Sequence, residues 1–236
     1  MSIAIPLSRR ERERHARRQE MLGAARSLFA EKGYAGATLE EIAHRAEFGK
    51  GTLYNYFDGG KEELLRAILD QMFDEVVEVT SESFTPEVLE TTPMRAVFRN
   101  YLKRIFDYYR DNADLFLIMV KEAQRIMLAN DERMSAYLSE QHIRIIDSLR
   151  PMLEHGMHTG QIRTLPAEAV SEMILGNIRG CQFYACTRSS PYCGDDTVPP
   201  TPDEQADLLT TILFDGLNLR DDRQPEPKSA TTNESS

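Results

Sequence analysis

The chain has no tryptophan, only three cysteines, and no apolar run longer than the six residues 115–120. A helix crossing a bilayer needs about 20 apolar residues, so no membrane span is expected. The first residues place their few apolar side chains before the charges, the reverse of a secretory leader. Glu11 and Glu13 are foreign to a transit peptide. These features predict a cytoplasmic protein. Cys181, Cys186 and Cys193 are odd in number and confined to one region; they make no disulfide framework and fit a reducing compartment.

Enzyme signatures are missing as well. There is no nucleophile elbow, no glycine-rich phosphate loop after a strand and no HExxH pair. His142, His155 and His158 lack the carboxylate spacing of a metal site. No enzyme activity, cofactor or metal is expected. Alternating strand patterns and internal repeats are absent too, and the fold class predicted is all-α.

Charge is plentiful but unevenly placed. The formal net charge is -10, yet residues 1–60 hold ten Lys and Arg against eight Asp and Glu, leaving 18 basic and 30 acidic residues in the remainder. Arg9, Arg10, Arg12, Arg14, Arg17 and Arg18 crowd into ten residues. The run is either a solvated tail or a phosphate-contacting arm.

Helical periodicity begins at about residue 14, with Met21, Leu22, Ala25, Leu28 and Phe29 on one stripe as far as Lys32. Gly33 supplies a left-handed stop and Tyr34 packs back on the helix. Thr38 and Glu41 form a capping box opening a short second helix. A third spans "KGTLYNYF" and a fourth begins at Lys61. Beyond Pro86, Thr92 and Pro93 read as N-cap and first residue of another helix. Two more are expected over 113–130 and 131–155, the latter kinked at Pro151 and closed by Gly156 and Gly160. Pro166 opens the next, and 189–202 is a proline-rich loop. Thr201, Pro202 and Glu204 start the last, which runs to about Leu219.

The segment "KGTLYNYF" spends a glycine and a threonine where a helix gains nothing from either. At about 100° per residue, Leu53 and Phe57 share one face while Gly51 and Asn55 point away, flanked by Tyr54 and Thr52 and led by Lys50. Such a face suits close approach to a polyanion: hydroxyls bond phosphate oxygens, and lysine pairs with a phosphate or a guanine edge. A short helix, a tight turn and this helix make a helix-turn-helix over 38–57. Tyr56, which falls partly inward, reads equally well as a core aromatic.

The stretch "AARSLFAEKGYAGATLEEIAHRAEFGKGTLYNYFDGGKEELLRAIL", residues 24–69, resembles the DNA-binding domain of the TetR family of transcriptional regulators. The resemblance implies phosphate contacts from Thr38, Thr52, Tyr54, Tyr56 and Lys61, and groove-facing roles for Lys50, Gly51 and Asn55. Glu47, Phe48 and Gly49 depart from the usual Gly, Val and Ser of the turn, and Asp58-Gly59-Gly60 is one residue longer than usual. It further implies a homodimer on a near-palindromic operator, released by a small molecule, and a repressor as the family's usual sign.

The expected organisation is a flexible basic arm at 1–14, a DNA-binding domain at 15–76, an effector and dimerisation domain at 77–219 and a disordered tail at 220–236. Wide apolar stripes on the last two helices suggest a partner, and the resemblance implies that it is a second copy, with Val170, Ile174, Ile178, Leu209, Ile212, Leu213 and Leu217 at the dimer interface. Tyr101, Ile105, Tyr108, Phe116, Met119, Met127 and Met173 read as core by default, and the resemblance implies that they wall an effector cavity. Two other readings remain: a metal- or redox-sensing regulator using Cys181, Cys186 and Cys193, and a helical protein-interaction module.

Overall fold

The computed structural model describes residues 8–188 and 200–216, and these form ten helices with no strand among them. The first, α1 (Arg9–Gly36), begins earlier than its apolar periodicity. Ser8 and Glu11 close a reciprocal capping box, and the first buried side chain is Met21. The flexible arm expected at 1–14 is thus helical from Arg9, and residues 1–7 lie outside the described part. Gly33 adopts φ 72° and ends the regular helix as expected, and Tyr34 turns back edge-on to Phe29, ring centroids 5.4 Å apart.

Next come α2 (Leu39–Arg45), α3 (Lys50–Tyr54) and the long α4 (Gly60–Ser83). The helix α5 (Pro86–Thr91), capped by Thr85, stands where Pro86 reads only as a break. α6 (Met94–Asp111) is entered through Pro93, while Thr92 ends α5 instead of capping α6. The amide of Met94 is satisfied from afar, donating to Gln161 Oε1 at 2.9 Å.

α7 (Ala113–Ala129) stops at Asn130, whose φ of 51° is left-handed. α8 (Glu132–His158) continues through Pro151 and past Gly156, so Gly156 does not close it. Gly156 lies inside because Ile162 and Met94 leave no room: a Cβ would meet them at 3.0 and 3.1 Å. α9 (Ala167–Arg188) and α10 (Pro202–Asp215) complete the fold, the latter with its Thr201–Glu204 box in place. Leu217, Cys193 and the tail at 220–236 lie outside the described residues.

α4 belongs to both halves. Its first turns pack on α1, and the rest packs on α6 and α8. Polar ties fix it there: Tyr108 donates to Glu75 at 3.0 Å, Tyr137 to Asp70 at 2.7 Å and Arg144 to Asp74 at 2.6 Å. A second bridge joins α1 to α7, where Arg26 makes a two-pronged contact to Asp114 at 2.5 and 2.6 Å and a bond to Asn112 at 3.1 Å.

Several residues expected around an effector are core. Tyr101, Ile105 and Phe116 are fully buried, with Tyr101 against Phe84 at 4.9 Å and Phe116 against Tyr109 at 5.5 Å. Tyr108 is held by Glu75, Met119 packs half-buried on the same core, and the side chain of Met127 is outside the described part. An inward-facing stripe signals burial without distinguishing a filled interior from a hollow one.

The expected dimer stripe divides between the protomer's own core and its surface. Ile174, Ile178 and Leu209 are buried inside the protomer, Val170 is half-buried, and α10 lies chiefly on α6. What is left outward on α9 and α10 is Met173 at 63% exposure, Leu208 at 60%, Phe183, Tyr184, Ile212 and Leu213.

Candidate nucleic-acid interface

Helix α2 is held by charges at its ends. Thr38 Oγ1 accepts from the Glu41 amide at 3.3 Å, while Glu41 accepts from the Thr38 amide at 3.1 Å and from Lys32 at 2.6 Å. The Lys32 ammonium, foremost, and the Thr38 donors pull the Glu41 carboxyl down to about 2. Arg45 bonds Glu31 and Ser27 on α1. The short helix, too short to persist alone, is thereby fastened to its neighbour.

The turn that follows carries a non-glycine residue, Glu47, at φ 59°. Its left-handed backbone costs an L-residue about 1–2 kcal/mol, and the Phe48 amide bonds Ala43 O at 2.9 Å across it. The turn therefore closes with Glu47 in the usual glycine position, at some strain.

From there α3 leaves with Leu53 inward, and Phe57, just past its end, follows the same face; both are fully buried among the side chains of α1, α2 and α4. Lys50, Gly51, Tyr54 and Asn55 are exposed, and Thr52 and Tyr56 are half-buried. A Cβ built on Gly51 meets nothing within 4 Å. Nothing inside the protein requires a glycine there.

Tyr54, 41% exposed, stands beside Gly60, whose φ of 65° opens α4 and whose missing Cβ would lie 3.9 Å from the Tyr54 ring. Lys50 hydrogen-bonds Glu40 of α2. That contact holds the Glu40 carboxyl below its ordinary value and the Lys50 ammonium above its own. Lys50 is thus leashed across the two helices. Tyr56 and Phe57 are covered by α1: Arg14 lies 5.6 Å from the Tyr56 ring centre and Arg18 5.1 Å from that of Phe57. The basic start of α1 is accordingly docked on the end of the outward segment, a placement with no local signal in the sequence.

Lys61 departs from expectation. Its ammonium donates to Ala37 O at 3.0 Å and Ala35 O at 3.4 Å and sits 4.6 Å from the Tyr34 ring centre. It closes the junction between α1 and α2 instead of reaching outward.

In the larger half, a cavity of about 780 Å³ opens between α6, α8, α9 and α10. Of the expected effector residues only Met173 lines it, together with Val170, Ile174 and Leu213 from the expected dimer stripe. Cys181 and Cys186 are half-buried, and burial pushes both thiols up, which lowers the thiolate fraction a sensor would need. No group of three metal-ligating side chains occurs among the described residues.

Residues 21–68 match the profile of the bacterial regulatory proteins of the TetR family. The transcriptional repressor KstR2 of Rhodococcus jostii is 29% identical over 208 residues, covering 85% of this chain and 91% of the relative. The uncharacterized regulator YfiR of Bacillus subtilis is 25% identical over 67% of this chain and 75% of its own. Among solved structures, the regulator FadR of Bacillus subtilis, in complex with stearoyl-CoA, superposes with a TM-score of 0.70 at 19% identity. The match covers 85% of this chain and 99% of that one. The outward face of α3 and the turn before it lie within the stretch that matches the TetR-family regulatory domain, and the helical body behind it shares the fold of TetR-family regulators.

Proposed function

We propose that the protein is a dimeric repressor that holds a near-palindromic operator through α2 and α3 and lets go when a small apolar molecule occupies its larger half. The observation that carries the DNA part is Gly51: open space surrounds its missing side chain, among exposed Lys50, Tyr54 and Asn55. A fold with no internal use for that glycine has an external one, the approach of a backbone to DNA.

In this reading Thr38, Thr52, Tyr54 and Tyr56 bond phosphates, Lys50, Gly51 and Asn55 face the groove, and the Arg9–Arg18 turns of α1 extend the phosphate track. Residues 15–76 act as the reading head and 77–219 as the effector and dimerisation domain, working in the cytoplasm. A second copy packs on the exposed side of α9, where Gly176 and Gly180 leave a shallow groove between Met173 and Tyr184. Two heads then meet two half-sites about 34 Å apart. The repressor sign follows KstR2, and an apolar effector accords with the ligand named for FadR.

The test is a gel shift with DNA flanking the protein's own gene, repeated as salt is raised. Affinity falls steeply with salt, and Lys50→Ala and Tyr54→Phe each weaken the shift while leaving a folded dimer. Unchanged affinity in both variants at matched salt removes α3 from the interface. A folded dimer with no DNA affinity even at low salt favours the protein-interaction module.

A further inference from the structure

The cavity between α6, α8, α9 and α10 has the walls of a hydrocarbon site. Its volume of about 780 Å³ falls in the roughly 300–1,000 Å³ range of small-molecule pockets. Met94, Met152, Met157 and Met173 line it with Phe98 and Phe214. Four thioethers give a surface that reshapes around its contents, which suits a flexible chain better than a rigid ring system.

Polar groups are few, and all but one are committed. Gln161 accepts from the Met94 amide at 2.9 Å and donates to Thr159 at 3.1 Å. Asp215 is paired with Arg95 at 2.9 Å. The remaining polar side chain on the lining is Arg163, exposed at the mouth beside Leu165 and without an ion pair among the described residues. The walls therefore offer little to internal hydroxyls or amides of a ligand, and the rim offers one positive charge without an ion pair among the described residues.

We propose that this cavity binds a flexible aliphatic chain with an anionic head group, the chain lying among the four methionines and the anion meeting Arg163. The proposal rests on the regulatory reading only in making this molecule the effector; binding itself needs no DNA. It also places the site against α9, the helix on which the proposed second copy packs, and away from the filled core around Tyr101 and Phe116.

Titration calorimetry of the full-length protein with saturated fatty acids from octanoate to stearate, kept below micelle formation, tests this. The expected result is one molecule per protomer, tightening about fourfold per added methylene until the cavity is full. Carboxylates bind roughly two- to fivefold more tightly than alcohols of equal length, and Arg163→Gln erases that difference alone. Val170→Trp and Met157→Trp fill the cavity from different walls, and either one, folded by circular dichroism, abolishes binding. Three results overturn the proposal: no saturable binding at any length, binding undiminished in both filled variants, or equal affinity for acid and alcohol. Operator binding is measured on the same preparation without lipid. A protein that shifts DNA but binds no chain loses this site and keeps its regulatory role, whereas the converse removes the regulatory role and keeps the site.

Discussion

Replacing Gly51 with alanine is expected to move stability and DNA affinity in opposite directions. The added methyl points into open space, with no heavy atom within 4 Å. It costs nothing in packing and recovers the helix penalty of glycine, about 0.5–1 kcal/mol. For a chain of this size that raises Tm by roughly 1–4 °C, read at fixed protomer concentration because the Tm of the proposed dimer would depend on it. On the DNA side, the same methyl intrudes where two surfaces close on each other. Overpacking of that kind costs about 1–3 kcal/mol, a roughly 5- to 150-fold loss of affinity in an equilibrium titration at constant salt. A stabilised variant with unchanged affinity refutes the close approach of α3 to DNA. A destabilised one refutes the claim that the glycine has no internal purpose.

Glu47→Gly relieves the left-handed turn and is expected to stabilise the fold by about 0.5–1 kcal/mol once the greater freedom of the unfolded chain is subtracted. Glu47→Gln separates this backbone effect from removal of the charge, and an equal gain in urea unfolding of both variants rejects the strain. The depressed Glu41 carboxyl stabilises the docking of α2 fully above pH 4.5 and loses that contribution as pH falls through about 2. Amide exchange in α2 is expected to rise over that window and to be insensitive to it in Glu41→Gln. Removing Arg10 and Arg17 together is expected to lower the salt slope of operator binding by about 0.9 for each phosphate left unneutralised; an unchanged slope assigns those arginines to solvent.

The parts of the fold read correctly from the sequence are those decided within a few residues. The Thr38–Glu41 and Thr201–Glu204 boxes and the Gly33 stop are local bonds between near neighbours, and they stand as written. The first turns of α1 escaped notice because residues 9–18 show no apolar periodicity, and only the Ser8–Glu11 box announces them. α5 is six residues long, too short for a period to show. In the candidate interface, the inward pair Leu53 and Phe57 followed from angular spacing alone. Lys61 did not, since its partners Ala35 and Ala37 lie 26 and 24 residues away. Nor could the cavity be located, because its rim depends on a loop at 159–165 tied to α6 by Gln161, 67 residues from Met94.

The 24 residues of α4 form one unbroken rod of about 36 Å, rooted in the reading head at one end and in the effector half at the other. A rod so mounted works as a gear of fixed ratio. Turning it by about 5° carries its far end through roughly 3 Å, and in the proposed dimer two such rods moving symmetrically would change the separation of the heads by about 6 Å. Against an operator pitch of about 34 Å that is nearly two base pairs, so under the proposed function a rearrangement no larger than a few side chains would put both heads out of step with the groove.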